Sequence, residues 1–259
     1  MKVVILCGGM GTRLREETEF KPKPMVEIGG KPILWHIMKI YSHYGFNEFV
    51  LALGYKGSYI RDYFLNYKYY NSDFTIDIGK ENNKLFYDDI KEDWKVTLVD
   101  TGEDTMTGYR LKLCSKFIDD DTFMLTYGDA VSDVNVFKLL EYHKKQNTVG
   151  TVTGVYPSSR FGDLEIKGNL VTNFKEKLID LNNKNPINGG FFVFDRKIFD
   201  YIDDDMSCDL EKQPMSKLTT EKQLSFFDHK GYWQCMDTYR DSINLNKEWK
   251  NNPKWKIWE

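Results

Sequence analysis

The sequence has few cysteines, little net charge and no long hydrophobic run, and each of these shortages excludes a class of protein. The four cysteines lie far apart, and the four histidines do not cluster with them, so we expect reduced thiols in a cytoplasmic protein rather than a zinc site. With 36 basic and 39 acidic residues, the net charge of −3 lacks the basic excess of nucleic-acid binders. No apolar run approaches the roughly 20 residues of a membrane helix. The short apolar opening runs into Gly8-Gly9, which is not a signal-peptide cleavage site.

The residues that are abundant predict a large folded core. Of the 259 residues, 41% are hydrophobic and 15% aromatic, which suits one large domain or two small ones. Short apolar runs predict buried strands at residues 3–7, 49–53, 96–99 and 123–126. Helical periodicity predicts helices from Pro32 to a stop at Gly45, over residues 59–67 and over residues 134–145. This alternation indicates a parallel sheet with right-handed crossovers.

The second half of the chain has a different pattern. β-rich runs at 148–156, 164–166, 170–174 and 187–194 are separated by turn residues, and residues 243–258 predict a helix broken by Pro253. Between residues 66 and 94 the pattern weakens. We interpret that stretch as an insertion or flap, or equally as an oligomer contact, because exposed tyrosines favour interfaces.

A glycine-rich loop directly follows the first predicted strand. Gly8, Gly9 and Gly11 allow the backbone to approach an anion, while Thr12 and Arg13 add donors suited to phosphate. A tight turn with a solvated arginine is the alternative. The loop lacks the third glycine of the dinucleotide fingerprint and the Gly-Lys-Ser/Thr ending of a Walker A loop.

A second basic segment follows this loop. Prolines on both sides of Lys23 restrict its backbone to an extended form, which holds a cation in place with little entropy left to lose. Alone, this segment is equally well explained as a solvated basic loop.

Together the two segments resemble a known family. Gly-Gly-Met-Gly-Thr-Arg-Leu at 8–14 and Pro-Lys-Pro-Met at 22–25 resemble the signature of the sugar-phosphate nucleotidyltransferases, also called nucleotide-sugar pyrophosphorylases. Residues 23–38, 54–57, 99–102, 126–129, 188–192, 233–238 and 255–259 are similar to the cytidylyltransferase branch. The resemblance implies an α/β, Rossmann-like nucleotide-diphospho-sugar transferase fold, with a mixed, mostly parallel sheet flanked by helices and a small β-rich sugar-binding part. It implies a single catalytic domain, 1–259, with a mainly nucleotide-binding half (1–147) and a mainly sugar-phosphate-binding half with a C-terminal helical tail (148–259).

The reaction implied by this resemblance joins CTP and α-D-glucose 1-phosphate into CDP-glucose and pyrophosphate, with Mg²⁺ as cofactor. Asp129 follows the predicted strand 123–126, at the carboxyl end where open α/β sheets place ligands. A turn or helix-capping role is the alternative for Asp129, and Asp237 is a plausible helix cap. By resemblance, the two aspartates hold the magnesium ion.

The resemblance also implies the remaining roles. Arg13, Lys23, Asp129 and Asp237 would be the catalytic residues. The nucleotide would contact Leu6, Cys7, Gly8, Gly9, Met10, Gly11, Thr12, Arg13, Lys23, Thr105, Arg110 and Gly128. The sugar phosphate would contact Tyr127, Glu176, Lys177, Asn188 and Gly189.

Rival functions remain open at this point. The same fold serves pyrophosphorylases that use UTP, dTTP or another sugar 1-phosphate. A non-catalytic nucleotide-sugar-binding module is more remote, because the chain keeps Arg13, Lys23, Asp129 and Asp237. A dinucleotide-dependent oxidoreductase is disfavoured by the missing glycine and by the absence of an acidic residue ending the second strand.

The resemblance further implies a homo-oligomer such as a hexamer.

Overall fold

The glycine-rich loop follows a strand near the centre of a seven-stranded sheet. The structure is a computed structural model and describes residues 1–79, 83–87, 90–157, 163–167, 170–175 and 185–259. In these ranges the strands are β1 (Lys2–Leu6), β2 (Glu27–Ile28), β3 (Lys31–Pro32), β4 (Glu48–Leu53), β5 (Phe74–Asp77), β6 (Asn83–Phe86), β7 (Lys95–Asp100), β8 (Thr122–Tyr127), β9 (Ala130–Ser132), β10 (Gly150–Val155), β11 (Asp163–Lys167), β12 (Leu170–Lys175), β13 (Ile187–Asp195), β14 (Leu224–Asp228) and β15 (Trp233–Cys235). The helices are α1 (Arg15–Thr18), α2 (Ile33–His43), α3 (Gly57–Leu65), α4 (Tyr67–Asn71), α5 (Thr107–Cys114), α6 (Val136–Gln146), α7 (Gln213–Thr220) and α8 (Tyr239–Asn251).

The central sheet is mixed and mostly parallel, as the sequence predicts. Its strand order is β14-β10-β13-β8-β1-β4-β7. Strand β1 is parallel to β4 and β8, β4 is parallel to β7, and β10 is parallel to β14. Strand β13 is antiparallel to both of its neighbours. The sheet contains strands from both 1–147 and 148–259, and the functional division at residue 147 stays a prediction.

Successive side chains of β1 enter two hydrophobic layers. Val3 and Ile5 pack with α2 and the C-terminal tail on one face of the sheet. Val4 and Leu6 pack with α5 on the other face. A strand that is buried on both faces reads as a continuous apolar run, which is why β1 was predictable.

The order of the strands reverses at β1. The chain passes from β1 to β4 on one side and later returns to β8 on the other, and Leu6 is the register partner of both Ala52 and Tyr127. Open α/β sheets bind ligands in the crevice beyond the carboxyl ends of the strands at such a reversal. The fold therefore brings the loop after β1 and the residues after β8 to one edge of the sheet.

Three sequence expectations differ from the structure, and the first is the extended form of Lys23, which instead begins a 3₁₀ helix, Lys23–Met25. The predicted helix 59–67 is two helices, α3 and α4, and the stretch 66–94 also carries the β5–β6 hairpin. The predicted tail helix, 243–258 with a break at Pro253, begins later than the observed helix and extends beyond it, while the interruption at Pro253 is confirmed. Helix α8 begins earlier because Thr238 and Asp241 form a reciprocal capping box, and it ends at Asn251, ahead of Pro253.

None of the helices in the described ranges combines the length and hydrophobicity that crossing a bilayer requires. The oligomer contact at 66–94 stays a prediction.

The C-terminal tail packs around a buried histidine of α2. His36 donates from Nε2 to the Ile28 carbonyl oxygen at 2.8 Å, and the Trp255 indole donates to Nδ1 of His36 at 3.4 Å. The Trp249 ring lies edge-on to the imidazole with centroids 4.7 Å apart. Burial lowers the pKa of His36 to about 4, despite the opposing effect of the Ile28 hydrogen bond. The packed tail therefore requires a neutral imidazole.

This burial predicts a pH-dependent stability. In the unfolded chain a histidine takes up its proton near pH 6.5, whereas folded His36 remains neutral until about pH 4. Lowering the pH from 7 to 5 should therefore remove about 2 kcal/mol from the free energy of unfolding through His36 alone. Urea denaturation of the wild type, His36→Gln and the exposed control His43→Gln at both pH values measures this. An equal pH dependence in His36→Gln and the wild type would contradict the assignment.

Candidate active site

The loop after β1 presents unused backbone amides to the edge of the sheet. Cys7 N donates to the Ala52 carbonyl at 2.9 Å, and Tyr55 N donates to the Gly8 carbonyl at 3.2 Å, so the first part of the loop is fixed. Within the part of the chain that the structure describes, the amides of residues 9–11 have no hydrogen-bond acceptor. Gly11 has a φ of +62°, and a Cβ there would lie 2.9 Å from Thr18 Cγ2. The loop thus needs glycine and has the form of an anion-binding concavity.

This loop lies at a cavity of about 360 Å³. Most of the residues predicted for the site line it: Leu6, Cys7, Gly8, Gly9, Gly11, Thr12, Arg13, Lys23, Thr105, Arg110, Tyr127, Gly128, Asp129 and Asp237. The sequence analysis missed three other lining residues, Pro24, Met106 and Thr107. Residues from both halves of the chain therefore line the cavity.

Five predicted residues are not among the cavity lining. Met10 is exposed. Asn188 lies next to the cavity, because its Nδ2 donates to the Tyr127 hydroxyl at 3.3 Å. Gly189 accepts from the Trp233 indole through its carbonyl at 2.7 Å. Glu176 and Lys177 lie outside the described residues. Their proposed sugar-phosphate contacts stay predictions.

Lys23 lies between the two predicted metal-binding carboxylates. Its Nζ donates to Asp129 Oδ2 at 2.7 Å and to Asp237 Oδ1 at 2.6 Å. Only 13% of the lysine side chain is exposed. Burial alone would lower the pKa of Lys23, but the attraction of the two carboxylates outweighs it and the pKa is raised. The ammonium therefore remains charged and neutralises part of the acidic pair.

Local structure explains how two aspartates so far apart in sequence meet. Asp129 comes two residues after β8, and the following strand β9 pairs with β15, with Ala130 opposite Cys235. Met236 N then donates to the Asp129 carbonyl at 2.8 Å. Asp237 follows directly and precedes the Thr238 cap of α8. The β9–β15 pairing therefore sets the distance between the two carboxylates.

The two carboxylates have the chemistry of a divalent-cation site. Their oxygens both lie within hydrogen-bonding reach of one nitrogen atom, a spacing that would also let them share one small cation. Among the described residues no group of three or more His, Cys, Asp or Glu side chains could hold a metal ion. A pair of carboxylates such as Asp129 and Asp237 is a donor set that suits Mg²⁺, which prefers a few carboxylates and completes its shell with water and phosphate oxygens.

Arg13 and Arg110 have opposite environments in the same cavity. The Arg13 side chain is 77% exposed, and its Nη1 donates to Asp237 Oδ2 at 3.1 Å. Arg110 is buried and donates to the hydroxyl of Thr101 at 2.8 Å and to the carbonyls of Gly102 and Glu103 at 2.7 and 3.0 Å. Burial lowers the pKa of Arg110. Arg13 is therefore available to a ligand, whereas Arg110 holds the loop after β7 in place.

The wall beside Arg110 is closely packed. A Cβ at Gly8 would lie 2.0 Å from Nη1 of Arg110. Thr105 is buried and donates its hydroxyl to the Thr101 carbonyl at 2.7 Å. The first amides of α5 are engaged as well, since Gly108 N donates to the Cys208 carbonyl at 3.0 Å. Nucleotide contacts by Thr105 and Arg110 stay predictions.

Two further side chains limit the chemistry of the cavity. Burial raises the pKa of the Cys7 thiol, so it is a neutral wall residue rather than a nucleophile. Burial and the neighbouring Glu211 raise the pKa of Tyr127, which keeps its hydroxyl protonated. The sequence analysis did not identify Glu211, because no local pattern marks a contact across 84 positions.

The chain is similar to several known proteins. The sequence matches the nucleotidyl transferase family over residues 2–252. It is 46% identical over 261 aligned residues to a glucose-1-phosphate cytidylyltransferase of Salmonella typhimurium, with 100% of both chains covered. An inositol-1-phosphate CTP transferase from T. maritima has a TM-score of 0.66 at 16% identity, covering 97% of this chain and 96% of that one. A UDP-glucose pyrophosphorylase complexed with UDP-glucose has a TM-score of 0.68 at 16% identity, covering 96% and 98%. The two solved structures share the fold.

The contrast between the two arginines predicts different costs of removal. Arg110→Ala leaves buried carbonyl groups without a donor and should lower the free energy of unfolding by about 3 kcal/mol or more. Arg13→Ala removes an exposed ion pair and should change it by less than about 1 kcal/mol. Urea denaturation at pH 7 compares the two variants. Similar small losses in both would contradict a structural role for Arg110.

Proposed function

Because the chain belongs to the nucleotidyl transferase family, we propose that it couples CTP to α-D-glucose 1-phosphate, forming CDP-glucose and pyrophosphate. The observation that carries the proposal is the Lys23 ammonium bound to Asp129 and Asp237 beside an anion-binding loop. The choice of CTP and glucose 1-phosphate is supported by the full-length similarity to a glucose-1-phosphate cytidylyltransferase.

The proposed reaction needs positioning and charge neutralisation more than covalent chemistry. A phosphate oxygen of glucose 1-phosphate forms a bond to the α-phosphorus of CTP, and the bond from that phosphorus to the β-phosphate bridging oxygen breaks. Pyrophosphate leaves with the electron pair. The free amides of residues 9–11 and the exposed guanidinium of Arg13 bind phosphate oxygens, which lowers the free energy of the charged transition state.

A divalent cation forms part of the proposal. Asp129 and Asp237 would hold Mg²⁺, which when bound reduces the repulsion between the two anionic substrates. Lys23 then has a second role. Its ammonium neutralises the carboxylates in the protein without substrate, and it turns to the reacting phosphate when the carboxylates take up the cation. Lys23 begins a short 3₁₀ helix, Lys23–Met25, whose proline restricts the backbone and limits this movement to the side chain.

The proposal is tested by measuring pyrophosphate release and nucleotide-sugar formation in a grid of substrates. CTP, UTP, dTTP and GTP are each combined with the 1-phosphates of glucose, galactose and mannose, in the presence of Mg²⁺. CTP with glucose 1-phosphate should exceed every other pair in kcat/KM by about tenfold or more. A different preferred pair would identify another pyrophosphorylase activity. Binding of nucleotide sugars without turnover of any pair would contradict the enzymatic function.

The dual role of Lys23 predicts opposite effects on turnover and on metal binding. Lys23→Met should lower kcat by about 10²–10³-fold, because a cation near the reacting phosphate is lost. The same change should tighten binding of Mn²⁺ to the substrate-free protein, because the ammonium no longer competes for the carboxylates. Electron paramagnetic resonance of free Mn²⁺ measures the affinity.

Lys21→Met is the matched control, since Lys21 lies in the same segment but pairs with Glu17 and Glu27. It should leave both quantities unchanged. Unaltered or weaker Mn²⁺ binding by Lys23→Met would show that the ammonium does not compete with the cation.

A further inference from the structure

A polar cluster surrounds the Tyr127 hydroxyl at the wall of the cavity. Tyr127 is the last residue of β8 and lines the cavity. Its hydroxyl donates to a carboxylate oxygen of Glu211 and accepts from Asn188 Nδ2 at 3.3 Å. Glu211 comes from the loop that precedes α7, and this loop is not adjacent in sequence to β8 or to β13. Three separate segments thus meet at one hydroxyl.

The same carboxylate is held from its other side. Glu211 Oε2 accepts from the Thr107 hydroxyl at 2.7 Å, and Thr107 also lines the cavity. The loop around it is fixed in turn, because Leu210 N donates to Thr107 Oγ1 at 3.0 Å and Glu211 N donates to Asp209 Oδ1 at 3.2 Å. Two cavity-lining side chains and two backbone amides therefore fix the position of Glu211 before any ligand binds.

The chemistry of this cluster suits hydroxyl groups rather than phosphate. Burial and the neighbouring Asp209 raise the pKa of Glu211, and the two oxygens of its carboxyl group have hydrogen-bonding capacity beyond the bonds from Tyr127 and Thr107. Glu211 remains exposed to solvent, so a ligand can reach it. A carboxyl group offers no positive charge to the triphosphate of a nucleotide, whereas sugar hydroxyls are neutral donors to its oxygens. The neighbouring Asn188 amide adds both a donor and an acceptor.

We propose that Glu211 binds hydroxyl groups of the sugar 1-phosphate and determines which hexose is accepted. This inference rests on the proposed function. Tyr127 and Thr107 act through Glu211 as positioning residues. Because a buried or constrained acceptor left without its donor costs free energy, a sugar that lacks a correctly placed hydroxyl is rejected at this wall.

Steady-state kinetics of Glu211→Gln test the inference. This change keeps the shape of the side chain and removes its charge. The KM for glucose 1-phosphate should rise about tenfold, and the preference in kcat/KM for glucose 1-phosphate over galactose 1-phosphate should fall about tenfold. The KM for CTP and the melting temperature should stay close to those of the wild type, which a merely structural role would not give.

Glu221→Gln is the matched control, because Glu221 also accepts from a tyrosine hydroxyl, that of Tyr201 at 2.6 Å, outside the cavity. It should leave both KM values and the preference unchanged. If Glu211→Gln fails to fold, Glu211→Asp carries the same expectations, since it withdraws the carboxylate by one methylene.

The outcomes separate this inference from the function on which it rests. A wild-type protein that makes no CDP-glucose refutes the proposed function itself. With an active wild type, an unchanged sugar preference in the variants overturns the role of Glu211. A loss seen only in kcat or in the KM for CTP overturns it as well, because Glu211 would then only support Tyr127.

Discussion

The ion pairs of Lys23 with Asp129 and Asp237 connect three of the segments that line the cavity. Lys23 belongs to the proline-flanked segment, Asp129 follows β8, and Asp237 follows β15. Two carboxylates placed this close repel one another, so the edge of the sheet depends on a cation between them. The ammonium supplies that charge within the chain, and the raised pKa of Lys23 keeps it available.

The two arginines at the cavity, Arg13 and Arg110, have different roles. The exposed Arg13 guanidinium contacts one carboxylate and faces solvent, whereas the buried Arg110 guanidinium is surrounded by oxygens of residues 101–103. A net charge of −3 for the whole chain therefore says little about the site. Ligand binding depends on which basic side chains already donate their hydrogen bonds to the protein and which can still donate to a ligand.

Much of this could be predicted from the sequence, and the reasons for success and failure are physical. Strands β1 and β8 are buried on both faces, so their apolar runs predict them, and the glycine-rich loop follows from local backbone chemistry. The prolines beside Lys23 predict an extended segment, whereas Lys23 begins a 3₁₀ helix. The start of α8 was misjudged because a capping box outweighs hydrophobic periodicity. The contact of Glu211 with Tyr127, and the carbonyl oxygens around Arg110, depend on packing between distant segments and have no local signature.

The central claim is that Asp129 and Asp237 act together with a divalent cation in nucleotidyl transfer. It is tested most directly by the Mg²⁺-dependent formation of CDP-glucose from CTP and glucose 1-phosphate in Asp129→Asn and Asp237→Asn, with Asp228→Asn as the control. Each of the first two should lose about 10²-fold or more in turnover while its melting temperature stays near that of the wild type. Full turnover in either variant at saturating Mg²⁺ would contradict the account.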